Sequence, residues 1–306
     1  MRIIYLGTPE DSVPSLRALV DAGHDVAMVV TQPDRRRSRG AGTDPSPVRR
    51  AADELGLPVR TPGKAREIVD EVRACGAEIG VVVAFGQLLP VPLLEALPLG
   101  FVNLHFSLLP RWRGAAPVER AILAGDAKTG VGLMRLEAGL DTGPVFAARE
   151  VVIEPDDTAG ALRARLVEVG TQLLVEYLPA IADSVPAPQV GEPTYAEKLT
   201  VDEFRLDPAR SAPELDRIVR AGNPRPGAWM PVGGKRVKVW KARLTDAPDP
   251  TDESVAPCAP GVISAAGVLC TAGGVLALLD VQPEGKRAMA ATAWRAGLRS
   301  DARVDA

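Results

Sequence analysis

The sequence predicts an α/β domain built on a doubly wound, mostly parallel sheet, followed by a small β-barrel. Three observations carry this. Short apolar runs alternate with helical periodicity through the first part of the chain. One run, Ile79 to Ala84, is apolar on both faces, as expected of a central strand covered by helices on each side. Beyond residue 205, short β-like runs separated by glycine, proline or acidic turns predominate.

Taken in order, Arg2 to Leu6 is an apolar run that ends in Gly7, Thr8 and Pro9. Val13, Leu16, Leu19 and Val20 then recur at helical spacing until Gly23 stops them. A strand at Asp25 to Thr31, a helix opened by Pro47 and running to Leu55, and a short strand at Leu57 to Arg60 complete a βαβαβ order. Phe101 to His105 reads as a further strand. Right-handed crossovers between such strands place ligands beyond their carboxyl ends. Ser184 to Pro193 is proline-rich and aperiodic, which predicts domains at 1–188 and 206–306 joined by a linker at 189–205. Runs at Val237 to Val239, Gly261 to Ile263, Val268 to Thr271 and Val275 to Leu279 supply the barrel, and 245–260 is expected as an exposed loop.

With 306 residues, 46% hydrophobic and 25% charged, the chain can bury two cores and is not disordered. No apolar run reaches the roughly 18 residues of a membrane span, and Met1 to Gly7 enters a β-like pattern without a basic leader, so a cytoplasmic protein without a membrane partner is expected. Cys75, Cys258 and Cys270 are odd in number, widely spaced and far from both histidines, which argues against a disulfide framework and against a metal site. Net charge is -3 but uneven: residues 1–205 carry 22 basic and 28 acidic side chains, and 206–306 carry 14 and 11. Arg217 to Arg243 contains eight basic residues and no acid, which suits a polyanion; a solvated strand face is the plainer alternative.

The only two histidines are His24 and His105, and the only two asparagines are Asn103 and Asn223. In a strand, residues two apart face the same side, so Asn103 and His105 would project together. Asp141 lies between glycines in a loop following the apolar run Val131 to Leu136, within reach of the histidine. Such a set, without a partner cysteine or metal ligands, points to acid/base and oxyanion chemistry without a covalent nucleophile. The competing reading makes His105 a buried hydrogen-bonded residue, Asn103 a turn former and Asp141 a loop cap. Ser107 lacks a Gly-x-Ser-x-Gly elbow and reads as a turn residue, as does His24. Gly-x-Gly-x-x-Gly and the phosphate-loop lysine motif are both absent, which disfavours a dehydrogenase or kinase.

Asn103-Leu104-His105, Ser107-Leu108-Leu109-Pro110, Arg113-Gly114 and Gly139-Leu140-Asp141-Thr142-Gly143 together resemble the signature of the 10-formyltetrahydrofolate-dependent formyltransferases. Leu6-Gly7-Thr8-Pro9, Thr31-Gln32-Pro33-Asp34-Arg35, Thr194 to Leu199 and Val237 to Ala242 extend the similarity over nearly the whole chain, toward the members that act on charged initiator tRNA. The resemblance implies a Rossmann-like, folate-binding domain and a carboxy-terminal barrel related to the OB fold. It also implies transfer of a formyl group from 10-formyltetrahydrofolate to the α-amine of methionyl initiator tRNA, with no metal and no DNA partner. Asn103, His105 and Asp141 would be catalytic, and Ser107, Leu108, Leu109 and Pro110 would line the folate site. Arg39, Lys235, Arg236 and Lys238 would meet tRNA phosphates, with loop 35–50 near the acceptor end, although Ala41, Thr43 and Asp44 replace the usual lysines there. Two alternatives stay open: a formyltransferase for a nucleotide-linked amino sugar, and a nonenzymatic RNA-binding protein.

Overall fold

Seven strands make the first sheet of the computed structural model, which describes residues 1–36, 43–245, 259–298 and 302–305. They are β1 (Arg2–Gly7), β2 (Asp25–Val30), β3 (Val59–Arg60), β4 (Ile79–Val83), β5 (Phe101–His105), β6 (Lys128–Arg135) and β7 (Val145–Val152). Their spatial order is β7-β6-β5-β4-β1-β2-β3. The five strands β1 to β5 run parallel, whereas β6 and β7 are antiparallel. The chain builds outward from β1 to β3 and then returns to the other side of β1. This is the reversal that opens a ligand crevice at the carboxyl ends of the strands.

Helices cover both faces, as the two-sided apolar character of β4 requires. On one side Ile68, Val72 and Leu93, from the region of α3 (Val69–Ala74) and α4 (Val91–Leu94), share a core with Ile4, Leu6, Met28, Val30, Val82 and Phe101. On the other, α1 (Val13–Asp21) meets α6 (Ala159–Tyr177) through the Ser15 and Thr171 hydroxyls, 3.1 Å apart. Two glycines make this packing possible. A Cβ on Gly80 would lie 2.1 Å from the Phe101 ring, and one on Gly170 would lie 2.9 Å from both Leu104 and Val131. Two further helices are α2 (Pro47–Glu54), capped by Ser46, and α5 (Pro117–Ala124).

Contacts group the chain into two compact units. The first comprises Met1–Pro117, Lys128–Val152 and Arg163–Glu197; the second comprises Val118–Ala127, Ile153–Leu162 and Lys198–Ala306. In the second unit α7 (Ala212–Gly222) starts at a reciprocal Ser211/Glu214 capping box. The strands β8 (Ala228–Val232), β9 (Lys235–Thr245), β10 (Val262–Ile263), β11 (Val268–Cys270), β12 (Val275–Pro283), β13 (Met289–Ala290) and β14 (Ala302–Arg303) pair antiparallel throughout. Their order is β8-β9-β12-β11-β10-β14, with β13 on β12. A Val232–Val304 bridge brings the last strand back toward the first, so the sheet curls into an OB-like barrel. Bulges between Val239 and Ala242 bend the long β9.

One expectation is corrected: Cys270 is disulfide-bonded, while Cys75 is free. A disulfide needs only that folding bring two Cα atoms within about 7 Å, which spacing along the sequence does not rule out. No helix among the described residues is long and apolar enough to cross a membrane. Most of the 245–260 tract expected as an exposed loop lies outside the described residues.

Candidate active site

Strand β5 delivers Asn103 and His105 to one face, and its neighbours fix their depth. Asn103 is opposite Val82 on β4 and Met134 on β6, and His105 is opposite Gly132. The Asn103 side chain is half-buried and makes no hydrogen bond among the described residues, leaving its amide available.

His105 is enclosed, with a side chain only 6% exposed. Its Nε2 lies 2.9 Å from the Trp112 carbonyl. A carbonyl only accepts, so Nε2 carries the hydrogen of this bond. On the opposite side Nδ1 lies 3.7 Å from Asp141 Oδ2, close enough for an ion pair but longer than a hydrogen bond. A protonated imidazole would therefore face an acceptor group at each nitrogen. Asp141 Oδ2 also accepts from the backbone N–H of Gly114 at 2.7 Å.

Backbone strain gathers around this arrangement. Ala84, Trp112 and Asp141 are the non-glycine residues with positive φ among those described, at 48°, 63° and 50°. The flanking glycines permit close approaches that a side chain would block. A Cβ on Gly143 would lie 2.0 Å from the Arg135 carbonyl, and one on Gly114, at φ +121°, would lie 2.8 Å from that of Ala196. This is the structural content of the Gly-Leu-Asp-Thr-Gly and Arg-Gly motifs.

The Ser107 hydroxyl is buried and donates to the Arg111 carbonyl at 2.6 Å, which closes the loop after β5. Leu108, Leu109 and Pro110 are half-buried, and Leu108 sits over Gly130. A cavity of about 500 Å³ opens nearby at the carboxyl ends of β2, β3 and β4, lined by residues that include Gln32, Lys64, Arg66, Gln87 and Leu88. None of Asn103, His105, Asp141 or 107–110 lines it. Gln32 and Gln87 donate to the Phe85 and Pro62 carbonyls, and Lys64 and Arg66 have no ion pair among the described residues. The places of Gln32, Gln87, Trp112 and Gln189 are not readable from sequence, because each is set by contacts distant along the chain. His24 falls in the turn before β2, half-buried, and its burial lowers its pKa.

In the second unit Lys235 and Arg236 are exposed at the start of β9, and Arg236 stacks 3.9 Å over the Trp229 ring. Lys238 is more tightly held: its Nζ donates to the Pro226 carbonyl at 2.8 Å and lies 5.0 Å over the Trp240 ring. Arg225, Lys241 and Arg243 are also exposed. Arg217 and Arg220 instead bond to Leu123, Asp216 and Asp157. Arg39 lies outside the described residues.

A Rossmann-like sheet with His and Asn at the end of a parallel strand, followed by an OB-like barrel, defines a formyl-transferring class. The chain belongs to the formyl transferase family. Residues 1–178 match its "Formyl transferase" domain and 198–299 its "Formyl transferase, C-terminal domain". Among relatives, it is 46% identical to a methionyl-tRNA formyltransferase of Paracoccus denitrificans over the full length of both chains. It is also 45% identical to one of Thermus thermophilus, covering 97% of this chain and 96% of the relative. Structures of lower identity share the fold. An N-formyltransferase of Helicobacter canadensis in complex with folinic acid and dTDP-3-aminofucose superposes with a TM-score of 0.67 at 17% identity, over 90% of this chain and 98% of that one. HypX of Aquifex aeolicus in complex with tetrahydrofolic acid gives 0.62 at 17% identity, over 97% of this chain and 47% of HypX.

Proposed function

We propose that the protein transfers the formyl group of 10-formyltetrahydrofolate to the α-amino group of methionyl initiator tRNA, giving N-formylmethionyl-tRNA for translation initiation in the cytoplasm. The observation that carries this reading is the full-length 46% identity to a methionyl-tRNA formyltransferase, spanning both domains. The likeness to the sugar N-formyltransferase stands at 17% and supports the fold alone.

In this mechanism the unprotonated amine attacks the formyl carbon, and the carbonyl π pair moves onto oxygen. The unpartnered Asn103 amide donates to that oxyanion. His105 turns its Nε2 hydrogen from the Trp112 carbonyl to the same oxygen, a tightening that occurs only when substrate is present. Asp141, beside Nδ1, orients the imidazole and accepts the amine proton directly or through a water. Collapse of the intermediate re-forms the carbonyl and breaks the bond to N10 of the folate, which takes the proton held by Asp141, and no acyl-enzyme forms. Ser107 to Pro110 contribute apolar surface and backbone groups to the pterin, while the open cavity with Lys64 and Arg66 has room and positive charge for an anionic part of a substrate. Exposed Lys235 and Arg236, with Arg39, meet tRNA phosphates, and the engaged Lys238 contributes less.

The test offers the purified protein three acceptors with 10-formyltetrahydrofolate: methionyl initiator tRNA, free methionine and an amino-sugar nucleotide. Formylation confined to the charged tRNA is expected. Formylation of the sugar nucleotide alone would replace the acceptor, and folate-independent RNA binding without transfer would return the RNA-binding alternative.

A further inference from the structure

We infer that Gln189 is a positioning residue that fixes Asp141 against His105, an inference that rests on the formyl transfer proposed above. Gln189 lies in the proline- and glycine-rich stretch before Thr194, where sequence alone shows only a linker. Its Nε2 donates to the carbonyls of Asp141 and Gly143, both at 2.8 Å. Its Oε1 accepts from Nε and Nη2 of Arg113, at 3.1 and 2.7 Å. A carboxamide has two donor hydrogens and two acceptor lone pairs, so this side chain is saturated.

Those bonds join the segments that frame Asp141. One is the loop in which Asp141 sits at φ +50°, a conformation that persists only where its surroundings enforce it. The other carries Arg113 and the Gly114 N–H that binds the Asp141 carboxylate. Gln189 therefore holds the backbone of Asp141 and the neighbour of the group that holds its side chain. It is itself anchored on both sides: Ala187 bridges Val145, and Tyr195–Ala196 pair with Arg113–Gly114. With Nδ1 of His105 and Oδ2 of Asp141 3.7 Å apart, a small drift of the loop removes the carboxylate from the imidazole.

Gln189→Met is close to isosteric and deletes all four bonds. Gln189→Glu keeps an acceptor for Arg113 but sets carboxylate oxygens against two carbonyls. In the full chain both variants should lower kcat roughly 10- to 100-fold, as expected for a misplacement of about 1 Å, with KM for donor and tRNA little changed. In an Asp141→Asn background, adding Gln189→Met should lower kcat by less than about 2-fold, because the two act as one unit. Wild-type kcat in Gln189→Met, or a full additional loss in the Asp141→Asn background, overturns the inference. So does full activity in Gln189→Glu, which would assign the effect to Arg113. Should Gln189→Met fail to fold on thermal unfolding, the Gln189→Glu pair of measurements decides. Failure of the wild-type protein to formylate methionyl-tRNA would instead overturn the functional reading.

Discussion

Asn103 and His105 leave one strand differently engaged. Asn103 keeps its amide unpartnered, whereas His105 is held between the Trp112 carbonyl and Asp141. A preorganised oxyanion donor is typically worth about 3 to 4 kcal/mol, so Asn103→Ala should slow turnover roughly 100- to 1000-fold while substrate binding changes far less. Single-turnover kinetics would check this; a variant within a factor of a few of wild type would remove Asn103 from the chemistry. The pairing of Asn103 with His105 is legible because strand parity is a local rule, and the glycines around Asp141 mark a tight loop. Trp112 and Gln189 are not legible. Their roles arise from a carbonyl and a carboxamide meeting groups 7 to 76 residues away, which no spacing rule encodes.

The central strands depend on missing side chains as much as on present ones. Gly80→Ala would place a methyl group 2.1 Å from the Phe101 ring, on the partner of the strand that carries Asn103. Overpacking of this kind costs about 1–3 kcal/mol, which denaturant unfolding would register; an unchanged midpoint would show that Phe101 moves freely. The parallel strands are readable from continuous apolar runs, and the antiparallel β6 and β7 much less so, because a rise of about 3.3 Å and a period of two do not reveal direction. Within the second unit, Glu203 binds Arg120 at 2.6 Å and the Thr200 N–H at 2.9 Å. Partial desolvation pushes its carboxyl up, but the Thr200 and Arg120 bonds outweigh it and leave the pKa lowered. A lowered folded-state pKa means that stability is present above the ordinary carboxylate range and is lost as the pH falls below it. Glu203→Gln should therefore flatten the acid limb of a stability profile, and an unchanged limb would show that the pair contributes nothing measurable.

Across the chain, the compact units do not follow a single cut in the sequence. Residues 118–127 and 153–162 group with the barrel, drawn there by bonds such as Arg217 to Leu123 and Gly160 to Asn223. No local periodicity says which core receives α5 or the start of α6. Charge behaves similarly: the eight basic residues from Arg217 to Arg243 form one run in sequence, yet Arg217, Arg220 and Lys238 are occupied within the fold. The exposed remainder is the part available to a polyanion. Replacing Lys235 and Arg236 together by alanine should weaken tRNA binding at low salt and reduce the slope of log affinity against log salt by about 1 for each phosphate that is no longer neutralised. An unchanged slope would place the tRNA elsewhere.

The most direct measurement is single-turnover formyl transfer from 10-formyltetrahydrofolate to methionyl initiator tRNA by wild type and His105→Ala. Transfer by the wild type is expected, with a loss of roughly 100-fold or more in a folded variant. Wild-type protein that leaves the charged tRNA unformylated would contradict the assignment, and a folded His105→Ala variant with normal turnover would contradict the site.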